Sequence, residues 1–149
     1  MTHNIDLCEL TFSIASLMSI SGHTDHDADK LIELVGGYFD EYRRSRLGNY
    51  LFIRRSGKEN APKILVDAHL DEIGMLVTDI KEGGFLSVCA VGGVDTRILQ
   101  ASEVIIYGEG REIYGVVGST PPHLQKPGES GKLRDITELL IDTGYSKEE

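Results

Sequence analysis

A chain of 149 residues with 40% hydrophobic, 26% charged and 7% aromatic residues has the composition of one ordinary globular domain, which excludes intrinsic disorder as its main state. Lys and Arg total 15 against 24 Asp and Glu, a formal net charge of −9, so nucleic acid and anionic membrane surfaces are repelled and neither is an expected partner. No apolar run approaches the ~18 residues of a membrane span, no signal peptide opens the chain, and Cys8 and Cys89 lie too far apart for a disulfide framework, so the expected location is the reducing cytoplasm.

Along the chain, Asn4 to Ile20 carries Leu7, Leu10, Ile14 and Leu17 at the spacing of one helical face. Ser19-Ile20-Ser21-Gly22 breaks it. Thr24 followed by Asp27 has the form of a capping box opening a second helix, with Ala28, Leu31, Val35 and Phe39 as its stripe. Gly36-Gly37 inside that stripe costs about 1 kcal/mol per glycine relative to Ala, which predicts a frayed or broken end. Arg46 to Asn49 is a turn into a strand over Tyr50 to Arg54, and Ser56 to Pro62 is a polar loop. Lys63 to Ala68 holds Ile64, Leu65 and Val66 in a row, the pattern of a strand buried on both faces of an α/β sheet.

After Gly74 the texture changes. Met75 to Ile80, Gly84 to Val91, Glu103 to Tyr107 and Glu112 to Val117 are short strands separated by glycine turns, with no helix expected between them. Such a run predicts an antiparallel sheet or small barrel, and hence a domain boundary near Gly74. Gly is correspondingly frequent, 17 residues against about 10 from a usage near 7%. Gln125 to Leu133 reads as a polar loop and Leu139 to Ile141 as a further strand. Ser146 and Glu149 repeat the capping-box pattern at the very end, where a helix should open. That signal, and a front half with too few elements to close an α/β sheet, lead us to expect a truncated chain.

Polar residues cluster where the expected buried strand ends. His69, Asp71 and Glu72 follow Ala68 directly, and ligands of open α/β sheets bind at the carboxyl ends of strands. His69 and Asp71, two residues apart, share one side of an extended chain, so the Asp71 carboxylate can accept the second N–H of a metal-bound imidazole. A surface histidine beside acidic turn residues is the plain alternative. Asp71 and Glu72 are adjacent and point to opposite faces, which rules out a glycosidase pair flanking one bond. Gly108-Glu109-Gly110 lies between strands and is a hairpin turn, not a phosphate loop. His3, His23 and His26 read as solvated surface, His123 as structural, and Cys8 and Cys89 as small buried hydrophobes.

The series Ala68-His69-Leu70-Asp71-Glu72-Ile73-Gly74, Gly83-Gly84-Phe85-Leu86, Gly92-Gly93-Val94-Asp95 and Gly115 to His123, with the earlier Ser21-Gly22 and Leu47-Gly48-Asn49, occurs in order along nearly the whole chain. It resembles the tetrahedral (TET-type) glutamyl and deblocking aminopeptidases, co-catalytic dinuclear zinc or cobalt metallopeptidases, some of which carry an endoglucanase designation. Val94, where the family has an aromatic residue, and His23 to Asp29 depart from its pattern without touching metal chemistry. The resemblance implies an α/β fold: part of a mixed-sheet catalytic domain, residues 1–74, interrupted by a β-rich, barrel-like dimerisation domain, residues 75–149, incomplete at its C-terminus.

By the same resemblance His69 is a terminal ligand of one metal, Asp71 is its orienting carboxylate, and a complete site holds two divalent ions, zinc or cobalt. The bridging Asp, the Glu-Glu pair with the general base, a further Asp and a C-terminal His all lie downstream of Glu149 in the family. One imidazole cannot hold a catalytic zinc, which takes three protein ligands. The expected activity is therefore removal of N-terminal residues from short peptides by the complete protein, with this chain inactive alone. The expected partners are the peptide and further copies, a dimer on the way to a hollow dodecamer. The competing expectation is a non-catalytic association module or a truncated relic.

Overall fold

The structure is a computed structural model that describes residues 6–125, 128 and 132–148. The chain divides into two compact units, Met1–Glu72 and Ile73–Glu149.

In the first unit, helix α1 (Leu7–Ala15) starts at Asp6, whose carboxylate accepts the backbone N–H of Cys8 and Glu9 at 2.9 and 3.1 Å. The carboxylate thereby satisfies two of the helix's unpaired N–H groups. Of the expected apolar stripe, Leu17 is buried just beyond the helix, whereas Leu7 is 69% exposed. Cys8 is exposed too, which corrects its reading as a buried hydrophobe. The reason is that α1 buries none of its own residues. Helix α2 (Ala28–Val35) buries Leu31 and gives way, at the two glycines, to a single 3₁₀ turn over Gly36–Tyr38. That is the broken end the glycines predict.

The entry to α2 differs from the expected capping box. Asp27 is the N-cap, but its side chain makes no cap hydrogen bond. The carboxylate instead accepts Met18 N–H at 2.8 Å and contacts Lys30 Nζ at 2.8 Å and His26 Nδ1 at 3.1 Å. Burial opposes the charge on Asp27, yet the Lys30, Met18 and His26 hydrogen bonds outweigh it and hold the carboxyl below its ordinary value of 3.8. The folded protein therefore binds this proton less tightly than the unfolded chain. The resulting stability is present above about pH 4 and is lost as pH falls through the lower folded value. We expect Asp27→Asn to destabilise the first unit near neutral pH by about 1.5–3 kcal/mol, the range for a hydrogen bond to a charged group. The same change should flatten its loss of stability between about pH 5 and about pH 3. Denaturation of the two proteins at both pH values checks this, and parallel acid profiles would refute it.

Strands β1 (Glu41–Arg44) and β2 (Tyr50–Ile53) form an antiparallel hairpin in the register Glu41↔Ile53 to Arg44↔Tyr50. The turn is shaped by Ser45 Oγ, which accepts from Leu47 N and Asn49 N, and Phe52 packs on Phe39 at 5.2 Å between ring centroids. β2 fulfils the expectation to within a residue. The segment from Lys63 to Ala68 does not: it carries no regular secondary structure, and Ile64, Leu65 and Val66 are 86, 78 and 86% exposed. An apolar run becomes a doubly buried strand only when strands pair on either side of it, and no described strand pairs with this one.

The second unit is a five-stranded antiparallel sheet in the order β3-β4-β7-β6-β5. Its strands are β3 (Gly74–Ile80), β4 (Leu86–Val91), β5 (Glu103–Gly108), β6 (Arg111–Gly118) and β7 (Leu140–Asp142). All five fall, to within a residue or two, on the segments that short apolar runs between glycine turns and the Leu139 to Ile141 run mark as strands. β5 and β6 join through Glu109-Gly110, with Gly110 at φ +79°, so the Gly-x-Gly is the hairpin turn expected. β7, three residues long, is inserted between β4 and β6, so that Ile141 lies opposite both Leu86 and Val117. Leu86, Val88, Val117, Leu139 and Ile141 make the core, with Met75, Leu99, Val104, Ile106 and Ile136 packed against it.

One short helix, α3 (Thr96–Leu99), lies between β4 and β5, where none was expected. Asp95 starts it by accepting Arg97 N–H at 3.0 Å, a local side-chain cap that overrides the strand-turn-strand pattern. Part of the loop from Gln125 to Leu133, His3 and the pattern completed by Glu149 lie outside the described residues. Among the described residues, no helix is long and apolar enough to cross a membrane.

Candidate functional site

His69, Leu70 and Asp71 end the irregular segment of the first unit. The His69 side chain is 87% exposed and that of Asp71 40%. His69 Nδ1 lies 2.9 Å from the backbone oxygen of Asp71 and 3.5 Å from its Oδ1. A carbonyl oxygen can only accept, so Nδ1 must carry the proton in this contact. The lone pair of the neutral ring is then on Nε2, pointing away from the contact, and that is the form in which imidazole binds a metal. The expectation from the spacing is that the Asp71 carboxylate accepts the imidazole N–H; in the structure that carboxylate lies 3.5 Å from Nδ1. The partner of the imidazole N–H, however, is the peptide carbonyl of Asp71, and the carboxylate stands farther off.

The backbone on either side is tied to the strand-like stretch after α1. Ser19 Oγ donates to Leu70 O at 2.7 Å, Glu72 N donates to Ser19 O at 2.8 Å, and Ile20 and Glu72 form a parallel bridge. Ser19 and Asp27, read from the sequence only as a helix break and a capping residue, are the buried polar side chains among the described residues. The signal that could have found Ser19 is a small hydroxyl between Met18 and Ile20 immediately after an apolar helical stripe.

No group of three or more His, Cys, Asp or Glu side chains that could hold a metal occurs among the described residues. Here they supply one imidazole and one nearby carboxylate, short of the three protein ligands of a catalytic zinc. By themselves they do not fit a resident metal. The other described histidines have their own surroundings. His23 is exposed, His26 contacts Asp27, and His123 sits exposed in a 3₁₀ turn over Pro122–Leu124. Asp95, in the Gly-Gly-Val-Asp stretch, accepts three hydrogen bonds from the Arg97 guanidinium, which with the Arg97 backbone N–H pull its carboxyl down to about 2. That pairing fits the start of α3, not proton transfer near neutral pH.

The sequence profile of the M42 glutamyl aminopeptidases matches residues 48–149. The chain is 36% identical over 123 residues to a lysyl aminopeptidase of Pyrococcus furiosus, covering 81% of this chain and 34% of that protein. Among solved structures, a TET aminopeptidase from a marine-sediment thaumarchaeon superposes with a TM-score of 0.84 at 27% identity, over 93% of this chain and 39% of that one. The Pyrococcus horikoshii TET1 peptidase, which can assemble into a tetrahedron or a large octahedral shell, gives a TM-score of 0.78 at 31% identity, over 93% of this chain and 41% of that one. The chain thus spans about a third to two fifths of the length of these relatives. The expected mixed α/β fold with a β-rich second part is the fold these structures share with it.

Proposed function

The chain belongs to the M42 glutamyl aminopeptidase family, and from that premise we propose that it supplies the N-terminal portion of a metal-dependent aminopeptidase removing N-terminal residues from short peptides. The observation that carries this reading is the His69 imidazole, its Nδ1–H held by the Asp71 carbonyl at 2.9 Å and its Nε2 left for a metal. His69 is then a terminal ligand of one of two divalent ions, zinc or cobalt. Asp71 orients it, its carbonyl holding Nδ1–H and its carboxylate adding negative charge 3.5 Å from the same nitrogen, and the remaining donors come from residues downstream of Glu149. The bare apolar run Ile64 to Val66 supports the same reading, because it is what a sheet strand looks like when its neighbours are supplied from elsewhere. On this reading residues 1–74 belong to the catalytic domain and residues 75–149 to the domain through which copies associate, first as dimers and then toward a dodecamer, in the cytoplasm. The tetrahedral assembly of the P. horikoshii relative supports that association.

Two measurements test the proposal. With zinc or cobalt and short peptides, the 149-residue chain is expected to release no amino acid, whereas the polypeptide encoded by the complete reading frame releases it and is stopped by a chelator. An inactive complete polypeptide would sink the peptidase reading and leave an association module; turnover by the 149-residue chain would overturn the need for further ligands. Light scattering is expected to show dimers or larger species of the 149-residue chain, and a monodisperse monomer would refute association through the second unit.

A further inference from the structure

Resting on the reading of His69 as a metal ligand, we propose that Ser19 is a positioning residue that sets the orientation of His69, with Asp27 holding Ser19 in place. The His69–Asp71 stretch has little of its own to fix it. It ends an irregular segment, and the His69 side chain is 87% exposed. A ligand must nevertheless be held to within about 0.5 Å and 10–20° of its working geometry.

Two hydrogen bonds from a single residue do this. Ser19 Oγ donates to Leu70 O at 2.7 Å and Ser19 O accepts from Glu72 N at 2.8 Å. They grip the chain one residue before and one residue after Asp71, whose own carbonyl receives His69 Nδ1–H at 2.9 Å. With both flanking peptides gripped, the Asp71 peptide plane cannot rotate freely, and the carbonyl that selects the imidazole tautomer keeps its direction. The contact spans 51 residues of sequence, so it is a tertiary feature whose loop-closure entropy has to be offset.

Ser19 is only 4% exposed, and its position follows from Asp27, 6% exposed, which accepts Met18 N–H at 2.8 Å and is itself tied to Lys30 at 2.8 Å. A buried, hydrogen-bonded serine whose hydroxyl serves a peptide carbonyl is costly to leave without its partner. The line of contacts runs from the start of α2 through Met18 and Ser19 to Leu70, and from there to His69.

The test uses the 149-residue chain, free of metal, by nitrogen-15 NMR at a pH where His69 is neutral. In the unsubstituted protein His69 is expected to show the Nδ1–H tautomer and Glu72 a protected amide. In Ser19→Ala the tautomer signature should shift toward an average of both forms. Glu72 amide exchange should accelerate by about tenfold, the change for one lost hydrogen bond, while amides of α1, α2 and the β3–β7 sheet keep their shifts. Ser19→Thr, which retains the hydroxyl, should restore both signatures. An unchanged His69 tautomer and unchanged Glu72 exchange in Ser19→Ala would overturn the proposal. Should Ser19→Ala fail to fold, the unsubstituted protein decides: a freely exchanging Glu72 amide or an Nε2–H tautomer at His69 overturns it, and protection with the Nδ1–H form supports it. None of these readouts needs bound metal. A complete polypeptide that binds neither zinc nor cobalt would therefore defeat the peptidase reading and leave the positioning of His69 standing.

Discussion

Replacing His69 by Ala in the complete polypeptide is expected to lower bound metal and peptidase activity together, with activity falling to the background of the metal-free protein. The imidazole is the one nitrogen donor at this end of the irregular segment, and its Nε2 carries the lone pair once Nδ1–H is committed to the Asp71 carbonyl. A catalytic zinc held by three protein ligands loses its geometry when one is deleted, and with it the lowered pKa of its bound water. Asp71→Asn tests the finer arrangement. The peptide carbonyl that receives Nδ1–H survives this change, so the tautomer should persist. Removal of the carboxylate charge 3.5 Å from the ring should still weaken metal affinity or activity by about 10–100-fold, the usual effect of losing an outer-shell partner. Elemental analysis and rates measured on the three proteins check both. Unchanged metal content in His69→Ala would end the assignment of His69, and unchanged affinity in Asp71→Asn would end that of Asp71.

Gly84→Ala is expected to cost the second unit about 3 kcal/mol or more, enough to threaten its folding. Gly84 sits at φ +80°, and a Cβ built there would lie 1.9 Å from the carbonyl oxygen of Tyr145 and 2.8 Å from its carbonyl carbon. The left-handed conformation alone costs an alanine roughly 1–2 kcal/mol. The overlap is with backbone, which cannot rotate away as a side chain can, so the turn between β3 and β4 and the segment following β7 would have to separate. Gly144→Ala in the same unit is the control. Its φ is +72°, but nothing lies within 4 Å of its Cβ position, so only the conformational cost remains. Denaturant unfolding of the two variants separates the terms, and equal losses would show that the close approach at Tyr145 carries no weight.

The elements legible in the sequence are those whose causes are local. β3, β4, β5 and β6 follow from short apolar runs between glycine turns, and the Glu109-Gly110 hairpin from the freedom of one glycine at positive φ. The end of α2 at Gly36 follows from the helix cost of paired glycines. The nearness of His69 and Asp71 follows from their spacing, but the choice of the Asp71 peptide carbonyl over its carboxylate as partner of Nδ1 does not.

Other features waited for the tertiary structure because they depend on residues far apart. β7 is marked as a strand by the Leu139 to Ile141 run, but its place is not, and only its insertion between β4 and β6 puts Ile141 at the centre of the core. β1, Glu-Tyr-Arg-Arg, has no apolar alternation and is a strand because β2 folds back onto it. Ile64 to Val66 has the most strand-like composition in the first unit and forms no strand, because backbone hydrogen bonds in a sheet are made between segments and none of the described strands pairs with it. Asp27 carries a local capping signal that a distant amide, Met18 N–H, outcompetes. Turn sterics and side-chain periodicity act over a few residues and can be read from the sequence. Strand pairing and the burial of Ser19 and Asp27 depend on which segments meet, and that was decided only in the folded chain.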